Sequence, residues 1–246
     1  MKQTYDHEFF KDHHAMTVYA ARTILPIVLD ALPSVRSTVD FGCGVGTWLS
    51  VLAEQGVEDL LGMDGAWVEK ELLEIAEERF RKVDLERPIE LDRRFDLAMA
   101  LEVAEHLPPA SAQGFVDSLT RASDFVLFSA AVPFQGGEGH VNEQWPDYWA
   151  GLFARCGFVP VDLVRRHIWK DRRVPVWYRQ NLLLFVKESE KEHLDLDVSA
   201  HEGLPLSLVH PDLYLLRMEG AMTLRGGWRA LRRGLQASLK KTIRGG

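Results

Sequence analysis

The segment VDFGCGVGTWL, at positions 39–49, has the residue types and spacing of a ligand-binding turn. An acidic residue and three alternating glycines come first: Asp40, Gly42, Gly44 and Gly46. Glycine is favoured where the backbone needs positive φ and where a ligand approaches it closely. The helix-like run that follows offers free N–H groups at its start. A dinucleotide fingerprint would need glycine at position 47, which is Thr47, so the pattern predicts a different ligand. The alternative is a strand–helix turn without a ligand.

Two further acidic residues stand at the ends of strand-like runs. Asp64 ends LLGMD, eighteen residues after Gly46. A carboxylate at the tip of a second strand can accept hydrogen bonds from both hydroxyls of a ribose. An N-cap of the following helix is the alternative role. Asp84 and Leu85 follow the run FRKV, and an Asp after a strand is also common in loops.

The pattern Asp-x-Gly-x-Gly-x-Gly, followed by Asp64, resembles the Rossmann-like (class I) S-adenosylmethionine-dependent methyltransferases. The resemblance implies that S-adenosylmethionine is the cofactor. It places Asp40 toward the amino-acid end of that cofactor. It also places Asp84 near the adenine amino group, with the neighbouring backbone N–H of Leu85 on the ring.

The segment FDLAMALEVAEHLPP, at 95–109, resembles the fourth-strand region of small-molecule methyltransferases. By position, Glu102 and His106 would lie near the methionine end of the cofactor and the substrate entrance, or else fix the loop. Glu105 is expected to be structural. The segments FSAA, GHVNEQWPDYW and WYRQNLLLFV add a resemblance to a bacterial methyltransferase family associated with glycan or secondary-metabolite pathways.

The loop after the predicted fifth strand, PFQGGEGHVNEQWP, is the candidate acceptor site, because ligands of open α/β sheets bind beyond the carboxyl ends of the strands. An alcohol acceptor must lose a proton, and an imidazole titrates near neutral pH. His140 is the first candidate base and His106 the second; anchoring of the loop is the alternative for His140. Four other side chains are predicted to contact the acceptor: Tyr5 (in an N-terminal lid), Glu143, Trp145 and Trp149.

A metal site could in principle use residues of the same region. The candidate ligands are His106, His140, Glu102 and Glu143. No ligand-spaced motif such as His-x-His or Asp-Asp accompanies them, so no metal is predicted.

Strand-like and helix-like segments alternate along the chain, which predicts an α/β fold of the Rossmann-like methyltransferase type. We expect a seven-stranded, mostly parallel sheet with helices on both faces and an antiparallel last strand. The strands are predicted at Ser37–Phe41, Asp59–Met63, Phe80–Val83, Phe95–Leu101, Asp124–Ala130, Phe158–Leu163 and Gln180–Val186. The helices are predicted at 15–32, Thr47–Gln55, Val68–Glu77, Ala110–Arg121 and Trp145–Cys156.

Three regions follow from this pattern. Residues 1–36 are expected to form a helical lid or cap, and residues 37–188 the cofactor-binding domain. Residues 189–246 are expected to form a linker and a basic amphipathic tail.

The charge of the 246-residue chain is unevenly distributed. Its formal net charge is −7, but residues 221–246 hold seven basic residues and no acidic one. The first 220 residues therefore hold 22 basic against 36 acidic residues, a net of −14. An acidic body argues against nucleic acid as the main substrate, because phosphate binding requires a positive field.

The tail carries an apolar stripe at helical spacing. Its residues are Leu224, Trp228, Leu231, Leu235, Leu239 and Ile243. We expect the tail to pack on the acidic body of the same subunit or of a neighbouring one, which leaves a homodimer open. The alternative partner is an anionic membrane.

The compartment is expected to be the cytoplasm. Cys43 and Cys156 alone cannot form a disulfide framework, and the opening MKQTYDHEFFKDHH is too charged for a signal peptide. No apolar run approaches the roughly 18 residues of a membrane span. Peripheral contact with the inner membrane through the tail is the alternative.

The activity predicted is methyl transfer to an oxygen of a small polar acceptor, such as a sugar or glycan precursor. One alternative is an N- or C-methyltransferase of a secondary metabolite. Another is a cofactor-binding partner subunit without catalysis, which the intact glycine turn and Asp64 disfavour. A dehydrogenase is disfavoured by Thr47 and by the antiparallel ending of the sheet.

Overall fold

The computed structural model describes residues 7–195, 203 and 205–222, with side chains described from residue 14 to residue 219 within those ranges. The predicted lid residue Tyr5, most of the predicted linker after residue 195 and the tail from residue 223 lie outside the described residues.

The centre of the fold is a seven-stranded sheet. Its strands are β1 (Ser37–Phe41), β2 (Asp59–Asp64), β3 (Phe80–Lys82), β4 (Leu97–Leu101), β5 (Phe125–Ser129), β6 (Phe158–Val161) and β7 (Leu183–Lys187). They lie in the order β3-β2-β1-β4-β5-β7-β6. The pairs from β3 to β5 are parallel, and β7 runs antiparallel to both β5 and β6. The predicted sheet, including its antiparallel last strand, is therefore confirmed.

Helices cover both faces of this sheet. The helices of the part of the chain that forms the sheet are α1 (His7–Ala31), α2 (Thr47–Glu54), α3 (Ala112–Ala122), α4 (Pro146–Arg155), α5 (Arg165–Ile168) and α6 (Val176–Asn181). A further helix, α7 (Pro211–Met222), belongs to a separate unit of the chain. On one face, α1 and α2 bury apolar side chains such as Ile24 and Leu49. On the other face, α3 and α4 bury Phe115 and Phe153. Because both faces are covered, the central strand β4 is apolar throughout, and its five residues are all buried.

Helix α1 begins at His7, eight residues before the predicted start, and Pro26 lies inside it. Its side chains Ala20, Leu25 and Val28 are fully buried in the core that α2 shares. The contacts divide the chain into one unit up to Leu208 and a second unit from Val209. The domain boundaries predicted after residues 36 and 188 stay predictions.

The helix predicted at Val68–Glu77 is wrong. The segment instead contains two short 3-10 turns, Lys70–Leu72 and Glu77–Arg79. Glu74 explains the irregular path: its N–H donates to the carbonyl of Val45, and its carboxylate accepts hydrogen bonds from the hydroxyls of Thr47 and Ser50. These bonds tie the segment to the start of α2, and they replace the bonds of a regular helix.

The connection between β6 and β7 holds the short helices α5 and α6. The last strand starts at Leu183, three residues later than predicted, because Gln180 and Asn181 still belong to α6. Arg165 lies in this connection with a buried guanidinium, which donates to the carboxylate of Asp162 and to the carbonyl of Gln180.

In the second unit, α7 exposes the apolar side chains Tyr214, Leu215 and Leu216. Among the described residues, no helix is both long and apolar enough to cross a membrane.

Candidate active site

The glycine-rich turn lies between β1 and α2, as predicted. Gly42, Gly44 and Gly46 have φ values of +87°, +55° and +90°, the left-handed region that disfavours side chains. A Cβ at Gly42 would in addition overlap the side chain of Val103. The amides of Gly42 and Cys43 both donate to the carbonyl of Met63, so the turn is fixed to the end of β2.

The side chain of Asp64, at the end of β2, fixes the glycine-rich turn by hydrogen bonds. Its carboxylate accepts hydrogen bonds from the amides of Gly44, at 2.7 Å, and of Gly65, at 2.6 Å. Burial raises the pKa of Asp64, and the two amides counteract that rise. Each carboxylate oxygen can accept more than one hydrogen bond, so capacity for a ribose hydroxyl remains.

Asp40 lies beside Asp64 and is buried. Burial and then the neighbouring Asp64 raise the pKa of Asp40 to about 8. Asp40 does not line the cavity described next, and neither does Gly46, against which Ile75 packs. Their predicted contact with the cofactor stays a prediction.

A cavity of about 520 Å³ opens beyond the carboxyl ends of β1 to β4. This edge includes the point between β1 and β4 where the strand order reverses, which is the usual ligand position in such sheets. The cavity brings together seven of the predicted site residues: Gly42, Gly44, Asp64, Asp84, Leu85, Glu102 and His106. The remaining lining includes Gly65, Trp67, Glu86 and Val103.

Trp67 is a lining residue that the sequence analysis missed. Its side chain is 71% exposed, and its indole lies against Gly65 and near the carboxylate of Asp64. The sequence signal that could have identified Trp67 is its position three residues after Asp64, the predicted ribose ligand. Gly65 adds to this signal, because its missing side chain leaves space for the indole.

Glu102, the first residue after β4, has a strained backbone with φ of +55°. Its carboxylate accepts a hydrogen bond from the Gln135 amide at 2.8 Å and one from the Asn181 amide at 3.2 Å. Burial raises the pKa of Glu102, and these amides oppose the rise. Gln135 and Asn181 were missed because they come from distant parts of the chain, a loop and the end of α6, and no local pattern marks them.

The two predicted catalytic histidines are in contact. The ring centroids of His106 and His140 are 4.8 Å apart, edge to face. His140 Nδ1 lies 3.1 Å from Glu143 Oε1, and Glu143 also accepts the amides of Phe134 and Gly136. His106 lines the cavity and His140 does not. Burial and His140 lower the pKa of His106.

Glu105 lies directly behind these histidines and is fully buried. Burial and then the neighbouring Glu102 raise the pKa of Glu105 to about 9. Its main-chain carbonyl accepts the amides of Val141 and Asn142, at 2.9 and 3.0 Å. These two bonds fix the loop that carries His140 against the end of β4.

The other predicted acceptor residues do not line the cavity. Trp149 is 2% exposed, and its indole packs against Phe128 in the core, at a ring-centroid distance of 5.3 Å. Trp145 is partly exposed and precedes α4. Glu143 has an anchoring role in the loop. The structure therefore does not bring these three side chains to the cofactor cavity.

The sheet, the glycine turn and the cavity together define a Rossmann-like methyltransferase. The family model described as "Methyltransferase domain" matches residues 12–163. The chain belongs to this methyltransferase family, and S-adenosylmethionine is its methyl donor.

Solved structures share the fold at low sequence identity. Magnesium protoporphyrin IX methyltransferase of Synechocystis, with bound S-adenosylmethionine, is 21% identical with a TM-score of 0.52, over 76% of this chain and 86% of that one. The sugar N-methyltransferase KedS8 of a Streptoalloteichus species is 16% identical with a TM-score of 0.52, and the match covers 76% of this chain and 94% of that one. DesVI of Streptomyces venezuelae is 14% identical with a TM-score of 0.53, and the match covers 75% of this chain and 99% of that one. A search of curated proteins gave no significant match.

The residues of the cavity fit the cofactor. Gly42 and Gly44 allow a ligand to approach the backbone, and Asp64 offers a carboxylate at the tip of β2. Asp84 and the adjoining Leu85 lie at the end of the neighbouring strand β3, where the resemblance places the adenine. Glu102 and His106 then form the end of the cavity nearest the two-histidine cluster.

Proposed function

We propose that this methyltransferase methylates an oxygen of a small polar acceptor, such as a hydroxyl of a sugar or glycan precursor. The observation that carries the proposal is the cluster of His106, His140 and Glu105 beside the cofactor cavity. S-adenosylmethionine, when bound, supplies a methyl group on a sulfonium leaving group, so its activation needs little from the protein. A hydroxyl acceptor must lose its proton, and a histidine of this cluster can assist that loss.

The charge of the cavity supports a small acceptor without phosphate groups. Four acidic residues line it, Asp64, Asp84, Glu86 and Glu102, and no Lys or Arg of the described residues does so. Nucleic acid would require the opposite field. The negative cavity also favours a second candidate, an amine acceptor, because an amine arrives as a cation.

A matched pair of acceptors tests the proposal. The full chain is incubated with S-adenosylmethionine and either a panel of methyl glycosides or the corresponding amino sugars, and formation of S-adenosylhomocysteine is measured. We expect turnover with hydroxyl acceptors, and His140→Ala is expected to lower it about a hundredfold while cofactor affinity stays nearly unchanged. His193→Ala, an exposed histidine outside the site, is the control.

Methylation of the amino sugars alone would contradict oxygen transfer and establish the second candidate. Equal turnover of His140→Ala and His193→Ala would exclude His140 from the reaction.

We further propose a cytoplasmic enzyme whose tail packs on the acidic body of the same or a neighbouring subunit. The support is the opposite charge of the tail and of the first 220 residues. Docking on an anionic membrane is the competing proposal.

A further inference from the structure

Three metal-ligating side chains converge next to the cofactor cavity. Glu105 and His106 belong to the 3-10 turn Ala104–His106 after β4, and His140 belongs to the loop after β5. One carboxylate oxygen and one nitrogen of each ring all lie within 4.8 Å of one another. Two imidazoles and a carboxylate form a donor set that binds divalent transition-metal ions.

The state of Glu105 points to a ligand. Its side chain is fully buried, and neither carboxyl oxygen makes a hydrogen bond of normal geometry among the described residues, although the main-chain amides of Glu105 and Ala131 and the carboxyl group of Glu102 lie near. A buried carboxyl group without partners is costly, and a second buried carboxylate, Glu102, lies beside it. A bound cation would satisfy the free oxygens and neutralise the two adjacent acids at once.

The surroundings hold the histidines as metal ligands are usually held. His140 Nδ1 faces the carboxylate of Glu143 at 3.1 Å, and the Nε2 end of the ring packs against Gly137. A carboxylate orients the ring in this way for many histidine ligands of metals. The Nδ1 side of the His106 ring lies next to the backbone of Gly139. The bonds from the Val141 and Asn142 amides to the carbonyl of Glu105 set the distance between the loop and the turn.

We propose that Glu105, His106 and His140 bind a divalent transition-metal ion such as Mn²⁺ or Zn²⁺ at the acceptor end of the cofactor cavity. In this proposal the two histidines are metal ligands. The sequence instead predicted that they act as bases and that the site holds no metal.

The role of the ion in catalysis rests on the proposed oxygen transfer. A hydroxyl that coordinates the ion is acidified and releases its proton to water. The oxygen then uses a lone pair to form the C–O bond as the C–S bond breaks, and S-adenosylhomocysteine leaves. Two protein nitrogens and one oxygen leave coordination positions open for this acceptor oxygen.

The test measures binding of the metal alone to the full chain, with no acceptor present. Chelator-treated protein is titrated with MnCl₂ and, separately, with ZnCl₂ by calorimetry, and thermal unfolding is recorded with and without each ion. We expect one ion per chain and a rise in Tm. Glu105→Gln keeps the shape of the side chain and removes the charge, and it is expected to weaken binding more than tenfold. His193→Ala is expected to bind as the wild type does.

Two results would overturn the proposal: no binding of either ion by the wild type, or equally tight binding by Glu105→Gln. His140→Ala removes the ligand contributed by the loop after β5, and it is likewise expected to weaken metal binding. Binding of S-adenosylhomocysteine shows that each variant is folded. Failure of the proposed function looks different, because methylation of amines alone would refute oxygen transfer and leave the measured metal binding intact.

Discussion

The carboxylate of Asp64 connects two neighbouring parts of the site. It accepts the amides of Gly44 and Gly65, and it also lines the cavity. Its removal therefore loosens the glycine turn and deletes the candidate ribose ligand in one step.

We expect Asp64→Ala to weaken S-adenosylhomocysteine binding by about 2 kcal/mol, roughly thirtyfold, through lost charge-assisted hydrogen bonds. Calorimetry measures this change directly. Asp59→Ala is the matched control, because Asp59 lies exposed at the other end of the same strand and pairs with Arg93. Equal affinities of the two variants would contradict the assignment of Asp64.

Gly42 and Gly56 form a second matched pair. Their φ values are +87° and +89°, so alanine at either position costs about 1–2 kcal/mol of left-handed strain. Only at Gly42 would the new Cβ also meet a neighbour, the side chain of Val103; at Gly56 the space is open. We expect Gly42→Ala to lower Tm more than Gly56→Ala does, as measured by thermal unfolding. We also expect only Gly42→Ala to weaken cofactor binding, as measured by calorimetry. A Gly42→Ala protein with normal affinity would show that the turn does not contact the ligand.

The predicted residues that line the cavity could be found from the sequence because each stands in a local pattern. Gly42, Gly44 and Asp64 are marked by strand ends and spacing alone. The partners of Glu102 could not be found this way, since Gln135 and Asn181 reach it from positions 33 and 79 residues further along the chain. The contact between His106 and His140 was hidden for the same reason, because it depends on how the loop folds back.

Among the elements, the strands were predicted most reliably. Their apolar runs between turns reflect burial on both faces of a parallel sheet. The segment at 68–77 was predicted wrongly because its apolar spacing resembles a helix. Its backbone is instead set by the contacts of Glu74 with Val45, Thr47 and Ser50, which the local pattern does not contain.

A polar contact fixes α1 to the connection between β6 and β7. Asp171 accepts hydrogen bonds from the Tyr19 hydroxyl, at 2.8 Å, and from the Arg173 guanidinium, at 3.0 Å. The hydrogen bond from Arg173, followed by that from Tyr19, lowers the pKa of Asp171 below its ordinary value of 3.8. Because the pKa of Asp171 is lower in the folded state, its ionised carboxylate stabilises the fold at pH values above the ordinary pKa of 3.8. This stabilisation is lost as the pH falls from 3.8 through the lower pKa of the folded state.

We therefore expect Asp171→Asn to lower Tm at pH 7, and the difference from the wild type to narrow below about pH 4. The effect is small because the group is close to solvent. Thermal unfolding across this pH range measures it, with Asp30→Asn on the exposed side of α1 as the control. A difference that stays constant across the range would show that the carboxylate charge contributes nothing.

For the molecule as a whole, the basic tail is the least explained part. Its apolar stripe from Leu224 to Ile243 lies outside the described residues, so its docking partner stays a prediction. We expect neither the full chain nor a chain that ends at Glu219 to sediment with anionic vesicles at low salt, because the acidic body is the expected partner. Sedimentation of the full chain alone would establish the membrane as the partner instead. Neutral vesicles are the control for charge.

The family and the cofactor follow from the sequence, and the acceptor does not. Within this fold, the cofactor site uses a glycine turn and carboxylates at strand ends, which local patterns mark. An acceptor is recognised by side chains of loops, whose positions depend on the packing of the whole chain. Trp149 illustrates the difference: its place near the acceptor loop suggested contact with substrate, and the fold puts its indole in the core.

The position of β7 between β5 and β6 has a consequence for how the protein is made. Strand β5 ends at Ser129, but its second neighbour is complete only at Lys187, 58 residues later. At a synthesis rate of about 5–20 residues per second, the edge of β5 stays unpaired on the growing chain for about 3 to 12 s. That edge reads Phe-Val-Leu-Phe-Ser, an apolar strand that can pair with other chains. The interval before β7 emerges is therefore a time at which the growing chain is exposed to aggregation through this edge.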